Sequence, residues 1–170
     1  MKKFVVLAAI LAGSAQAHVV MAPAEATAGS YYAGEVRIGH GCDDEATTAV
    51  RIEVPEDIMT ARPRPKPGWT VEVERVPLAT PIVSDGKEQR DRVSAITWRG
   101  NLPADQFDDF GVMLKLPKDQ SGPLYLPVRQ TCGAKAVAWT EIPVAGQNWG
   151  ALKHPAPVLT LKPAVTGHGH

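Results

Sequence analysis

Hydrophobic and polar residues alternate in short runs along most of this chain. Val50, Ile52 and Val54 share one parity while Arg51 and Glu53 share the other, and Pro55 ends the run. Trp69, Val71 and Val73 alternate in the same way against Thr70, Glu72 and Glu74. A period of two is that of a strand with one buried and one wet face. Further strands are predicted over 30–39, with Tyr32, Val36 and Ile38 inward, and over 94–99, 110–116, 124–131 and 137–142. Short edge segments are expected at 18–21 and 158–161. Pro63 to Gly68 (PRPKPG) reads as a stiff extended loop, because prolines cannot donate to a regular ladder. The polar stretch 77–92 reads as a loop or an irregular hairpin tip. No convincing amphipathic helix and no internal repeat interrupts this pattern. Many short strands separated by turn residues predict an all-β sandwich.

The N-terminus breaks the pattern. Lys2 and Lys3 precede an unbroken apolar run over 4–11, and Ala15-Gln16-Ala17 is the small-x-small pattern of a cleavage site. A membrane span needs about 20 apolar residues, so this run is too short to be one. A signal peptide over 1–17 is therefore predicted, with export to the periplasm or beyond and a mature chain that starts at His18. The mature length suits one domain over 18–163 with its own core, followed by a flexible tail over 164–170. Formal net charge is +0, and losing Lys2 and Lys3 leaves the mature chain slightly acidic. That argues against nucleic acid as a partner, since phosphate binding needs a basic surface. In an oxidising compartment the two cysteines, Cys42 and Cys132, are expected to form a structural disulfide. A thiolate metal site is the weaker alternative, for there is no Cys-x-x-Cys spacing.

Cleavage after Ala17 would give His18 a free α-amine. That amine and the ring Nδ1 can chelate one metal ion together. An α-amine has an unperturbed pKa of about 7.7–8.0, so a metal displaces its proton at little cost near neutral pH. Chelating nitrogen donors suit Cu(II), which heads the divalent affinity order. A third ligand is needed, and the candidates are His40 and the acidic run Asp43, Asp44 and Glu45. They reach His18 only if the strands at 18–22 and 30–39 are neighbours. Each also has a plainer reading. A histidine at a cleavage point is often coincidental, His40 in a Gly-His-Gly-Cys loop is more often structural or solvent-facing, and an acidic run is usually a solvated turn. His168 and His170 in the tail would hold metal only weakly. His154 reads as surface, and Trp69, Trp98 and Trp139 read as core residues. Asp108 and Asp109 read as a strand-end turn, since adjacent strand residues face opposite ways and cannot share a site. There is no Gly-x-Ser-x-Gly elbow, His-Glu-x-x-His or phosphate loop, so no enzyme activity is expected.

Several segments, taken in order, carry a family pattern: HVVMAPAEATAGSYY, GHGC with ATTAVRIEVPE, RPKPGWTVEVE, SAITWRGNLPADQFDDFGVMLKLP and VRQTCGAKAVAWTEIP. Their order and spacing resemble the YcnI-like copper-binding domain family over nearly all of the mature chain. The resemblance implies an Ig- or cupredoxin-like antiparallel β-sandwich, periplasmic or at the cell surface, that takes part in copper handling. It implies Cu(II) held by the amine and ring of the N-terminal histidine and by an acidic side chain, with a tryptophan nearby. His18 matches the histidine, and Trp139 matches the tryptophan. Where the family has a glutamate, this chain reads Gly39-His40-Gly41-Cys42. The expected metal residues are therefore His18, His40 and Asp43, with Asp44 and Glu45 as alternatives to Asp43 and His40 preferred as third ligand. The function expected is a Cu(II)-binding protein of copper homeostasis or delivery, partnered by another periplasmic or membrane copper protein. Two rivals stand beside it: a metal-independent interaction module, and a histidine-brace copper oxygenase. The oxygenase is disfavoured by a compact chain with three Tyr and four Trp, several of them in strand patterns.

Overall fold

The structure, a computed structural model, describes residues 18–84 and 86–164. The predicted signal peptide and the tail histidines His168 and His170 lie outside the described residues. The strands are β1 (Val20–Ala22), β2 (Glu25–Thr27), β3 (Tyr31–Ile38), β4 (Thr47–Glu53), β5 (Thr60–Pro63) and β6 (Thr70–Ser84). They continue with β7 (Lys87–Leu102), β8 (Asp108–Lys115), β9 (Gly122–Tyr125), β10 (Val128–Cys132), β11 (Lys135–Trp139) and β12 (Val158–Lys162). One sheet has the order β1-β3-β8-β5, a second β11-β10-β4-β7-β6, and a small third β2-β12-β9. Apart from the parallel β2/β12 pair, neighbouring strands run antiparallel. The predicted all-β sandwich is what the chain forms.

Two of the alternating runs bury the parity they should, whereas in the third Trp69 and Val71 are half-buried and Val73 is exposed near the wet end of the ribbon. Val50, Ile52 and Val54 are buried from one sheet, and Tyr32, Val36 and Ile38 from the other. Between them Trp98 and Phe110 are fully enclosed, with Trp69 edge-on to Phe110 at 4.9 Å. Trp98 meets its polar need by donating Nε1–H to the Arg64 carbonyl at 3.2 Å. Cys42 and Cys132 form the expected disulfide across 90 positions of sequence. Asp108 and Asp109 open β8 instead of forming a turn, and they pair with Lys66 and Arg37.

Three expectations are corrected. The stretch 77–92 is not a loop: β6 and β7 pair right through it, with Ile82 opposite Gln89 and Val83 opposite Glu88. Most of that ribbon is wet on both faces, so its side chains carry no alternation to read. The predicted strand over 124–131 is two strands, with β9 in the small sheet and β10 in the five-stranded one. Pro127 falls at the break between them, where a ladder donor is missing. Finally, the proline-rich stretch begins on an unpredicted strand, β5, at a sheet edge.

The N-terminal segment is tied down firmly. Val20 pairs with Arg37, Met21 with Val36 and Ala22 with Glu35, and Val19 and Met21 are buried. The Tyr32 hydroxyl donates to the Pro23 carbonyl at 2.6 Å. Burial first, then the Glu35 charge, pushes that hydroxyl up to about 12, so it keeps its proton and its bond at neutral pH.

Candidate metal centre

The β1/β3 register fixes where His18 lies. Continued two residues beyond Val20 and Arg37, it sets His18 opposite Gly39, the residue before His40. The adjacency that the metal reading requires is thus present in the backbone. His18 is half-buried, and its ring is edge-on to two indoles. Trp149 meets it edge-on at 5.1 Å with an interplanar angle of 90°, and Trp139 lies at 6.4 Å and 64°. Such edge contacts are favourable and restrict how the imidazole can turn.

Trp139 ends β11 and is buried. Its Nε1–H donates to Gln130 Oε1 at 3.1 Å, while Gln130 Nε2 donates to the His40 carbonyl at 2.7 Å and to Thr47 Oγ1 at 2.8 Å. A cleft of about 450 Å³ opens in front of this group, lined among others by His40, Asp43, Trp139, Lys153 and His154. His40 is exposed, and its Nδ1 lies 2.6 Å from the Gly41 carbonyl. A carbonyl only accepts, so Nδ1 carries the proton in this bond, and Nε2 is the ring nitrogen left to face a ligand.

The loop that presents His40 is tight. Gly41 N–H donates to the Ala104 carbonyl, and Cys42 and Glu45 exchange backbone bonds across a turn in which Asp43 has φ +58°. A Cβ on Gly41 would stand 2.1 Å from the Glu45 carbonyl oxygen and 2.9 Å from Ala104 Cα. Backbone cannot move aside as a side chain can. Gly41→Ala should therefore cost about 3 kcal/mol, the upper end of the overpacking range, measured by denaturant unfolding.

The acidic run behaves differently from His40. Asp43 accepts from Lys135 Nζ at 3.1 Å, and this bond, followed by the carboxylate's charge, raises the Lys135 pKa. Asp44 and Glu45 are exposed on the turn. Among the described residues, no three His, Cys, Asp or Glu side chains stand together as a ready metal cage. In the full sequence Ala17 precedes His18, so the His18 nitrogen becomes the amine the chelate requires only on cleavage.

Two residues acquire a place that sequence reasoning did not assign them. His154, read as surface, is half-buried and edge-on to Trp139 at 5.3 Å and 90°. Its backbone N–H, with that of Lys153, donates to Glu141 Oε2. Trp149 begins a short 3-10 turn, Trp149–Ala151, and anchors its indole by donating to the Ala156 carbonyl at 2.8 Å. Its signal in the sequence was an aromatic residue within 143–152, a stretch without charge and outside any predicted strand.

The comparisons with known proteins agree with this architecture. A family model described as a domain of unknown function (DUF1775) matches residues 18–161. A crystal structure of an uncharacterized protein from Nocardia farcinica, with an immunoglobulin-like fold, is 30% identical and superposes with a TM-score of 0.65. The match covers 85% of this chain and 97% of that one. No curated protein matches.

Proposed function

The chain belongs to the DUF1775 family, which is the YcnI-like family, and from that premise we propose that it is an exported protein that binds Cu(II) through its mature N-terminal histidine and serves copper homeostasis or delivery. The observation that carries the reading is the His18 imidazole in edge contact with Trp139 and Trp149, opposite the His40 loop. The family match also begins at His18, the residue predicted to follow cleavage. Once cleaved, His18 would offer its amine and Nδ1 as a chelating pair, and copper accepts both readily.

His40 is the preferred third ligand, through Nε2. Its rival Asp43 is engaged by Lys135, and recruiting it would mean breaking that ion pair. Trp139 and Trp149 would wall the ion beside His18, and the cleft lined by His40, Trp139 and His154 meets that place at Trp139. This is a binding and transfer reading, with no catalytic step. Among the described residues no helix is long and apolar enough to cross a membrane.

One observation favours a second reading, a metal-independent interaction module. Ile142 and Val144 are 54% and 72% exposed on the loop that leads to Trp149. Titrating the processed protein with Cu(II), followed by electron paramagnetic resonance and tryptophan fluorescence, separates the two. One-to-one binding with quenched fluorescence is expected. Fluorescence and spectra unchanged at stoichiometric Cu(II) would leave the interaction module.

A further inference from the structure

We propose that Gln130 is the positioning residue of this site, holding the Trp139 indole and the His40 loop in fixed relation to one another; the inference rests on the copper reading above. Gln130 sits in the middle of β10, 2% exposed, between the inward residues Val128 and Cys132. Packing alone calls for an apolar residue there, since a buried amide costs free energy unless it is fully bonded. Here it is fully bonded. Both protons of its NH₂ are donated, to the His40 carbonyl and to Thr47 Oγ1, and its oxygen accepts the Trp139 indole proton.

The two principal partners, Trp139 and His40, both line the cleft. Trp139 presents one edge contact to His18 and another to His154. The His40 carbonyl belongs to the backbone from which the His40 ring projects. A single side chain therefore sets both the indole that faces His18 and the loop that would supply the third ligand. The choice of residue is narrow. Glutamate would keep the acceptor for Trp139 but lose both donors, and methionine would fill the space with neither. Asparagine has the same groups on a side chain one methylene shorter, too short to reach both partners at once.

The test compares processed wild-type protein with Gln130→Met and Gln130→Asn, and with Leu114→Ala as a control that loosens the core from the other sheet, away from these bonds. The readouts are Cu(II) affinity by chelator competition, the paramagnetic resonance spectrum, tryptophan quenching and thermal unfolding. Both Gln130 variants should bind Cu(II) at least tenfold more weakly, show more than one copper species, and lose part of the quenching. Leu114→Ala should melt earlier yet keep the wild-type spectrum. If Gln130→Met does not fold, Gln130→Asn decides. Folded Gln130 variants with the wild-type spectrum and affinity would overturn the positioning role and leave the copper reading intact. A wild-type protein that does not bind Cu(II) would overturn both.

Discussion

Adding one residue ahead of His18 should weaken Cu(II) binding by on the order of a hundredfold or more. The extension turns the His18 amine into an amide and removes one arm of the chelate. Losing a hydrogen bond to a metal ligand already costs ~10–100-fold in affinity, and losing a ligand should cost more. The fold should not notice, because the segment is held from Val19 onward by burial and by the β1/β3 ladder. Thermal unfolding of the metal-free extended protein should therefore match that of the processed form. Cu(II) titration of both forms, side by side, is the check. Equal tight binding would move the metal away from the amine, to the His40 cleft or to the tail. The quenching pattern sharpens the result, since two of the four tryptophans, Trp139 and Trp149, lie against His18.

Cys42→Ser should have the largest effect on stability and a small one on copper. The bridge closes a loop across 90 positions, for which chain-entropy reasoning assigns about 4–5 kcal/mol, with measured losses often lower. Removing it frees two strand ends in the unfolded chain and leaves Cys132 as a buried thiol near Thr47 Oγ1. The His40 loop nevertheless keeps two other anchors: the Gln130 bond to the His40 carbonyl, and the Gly41 N–H bond to Ala104. Copper affinity is therefore expected to fall by no more than about threefold, ~0.6 kcal/mol. Denaturant unfolding gives the first number and chelator competition the second. Losses of equal size in both would show that the bridge, and not Gln130, shapes the site.

The contrast between the variants follows from where each bond acts. The disulfide lowers the entropy of the unfolded chain, so its loss is felt chiefly in the folding equilibrium. The Gln130 bonds orient groups inside the folded state. Gly41→Ala also lowers stability, but by strain in the folded loop, where a Cβ would strike the Glu45 carbonyl and Ala104 Cα.

Some of this protein was settled by its sequence alone. Burial on alternate residues is a local property of a half-buried strand, so the runs at Val50–Val54 and Trp69–Val73 identified strands without reference to their partners. The cysteine pair followed from its number and predicted compartment. The candidate role of His18 came from its place after the predicted cleavage site and that of Trp139 from family resemblance, and the geometry brings those two together. Tertiary structure alone decided the rest. The wet β6/β7 ribbon has no apolar parity to announce it, and the β2/β12 pair is defined only by where distant segments meet. Gln130 looks like any polar residue in a strand until its bond to His40, 90 positions away, is seen. Trp149 and His154 matter because the chain folds back to set them against His18 and Trp139. Periodicity reports which face of a strand is buried, but the neighbour across that face is chosen by packing over long sequence separations.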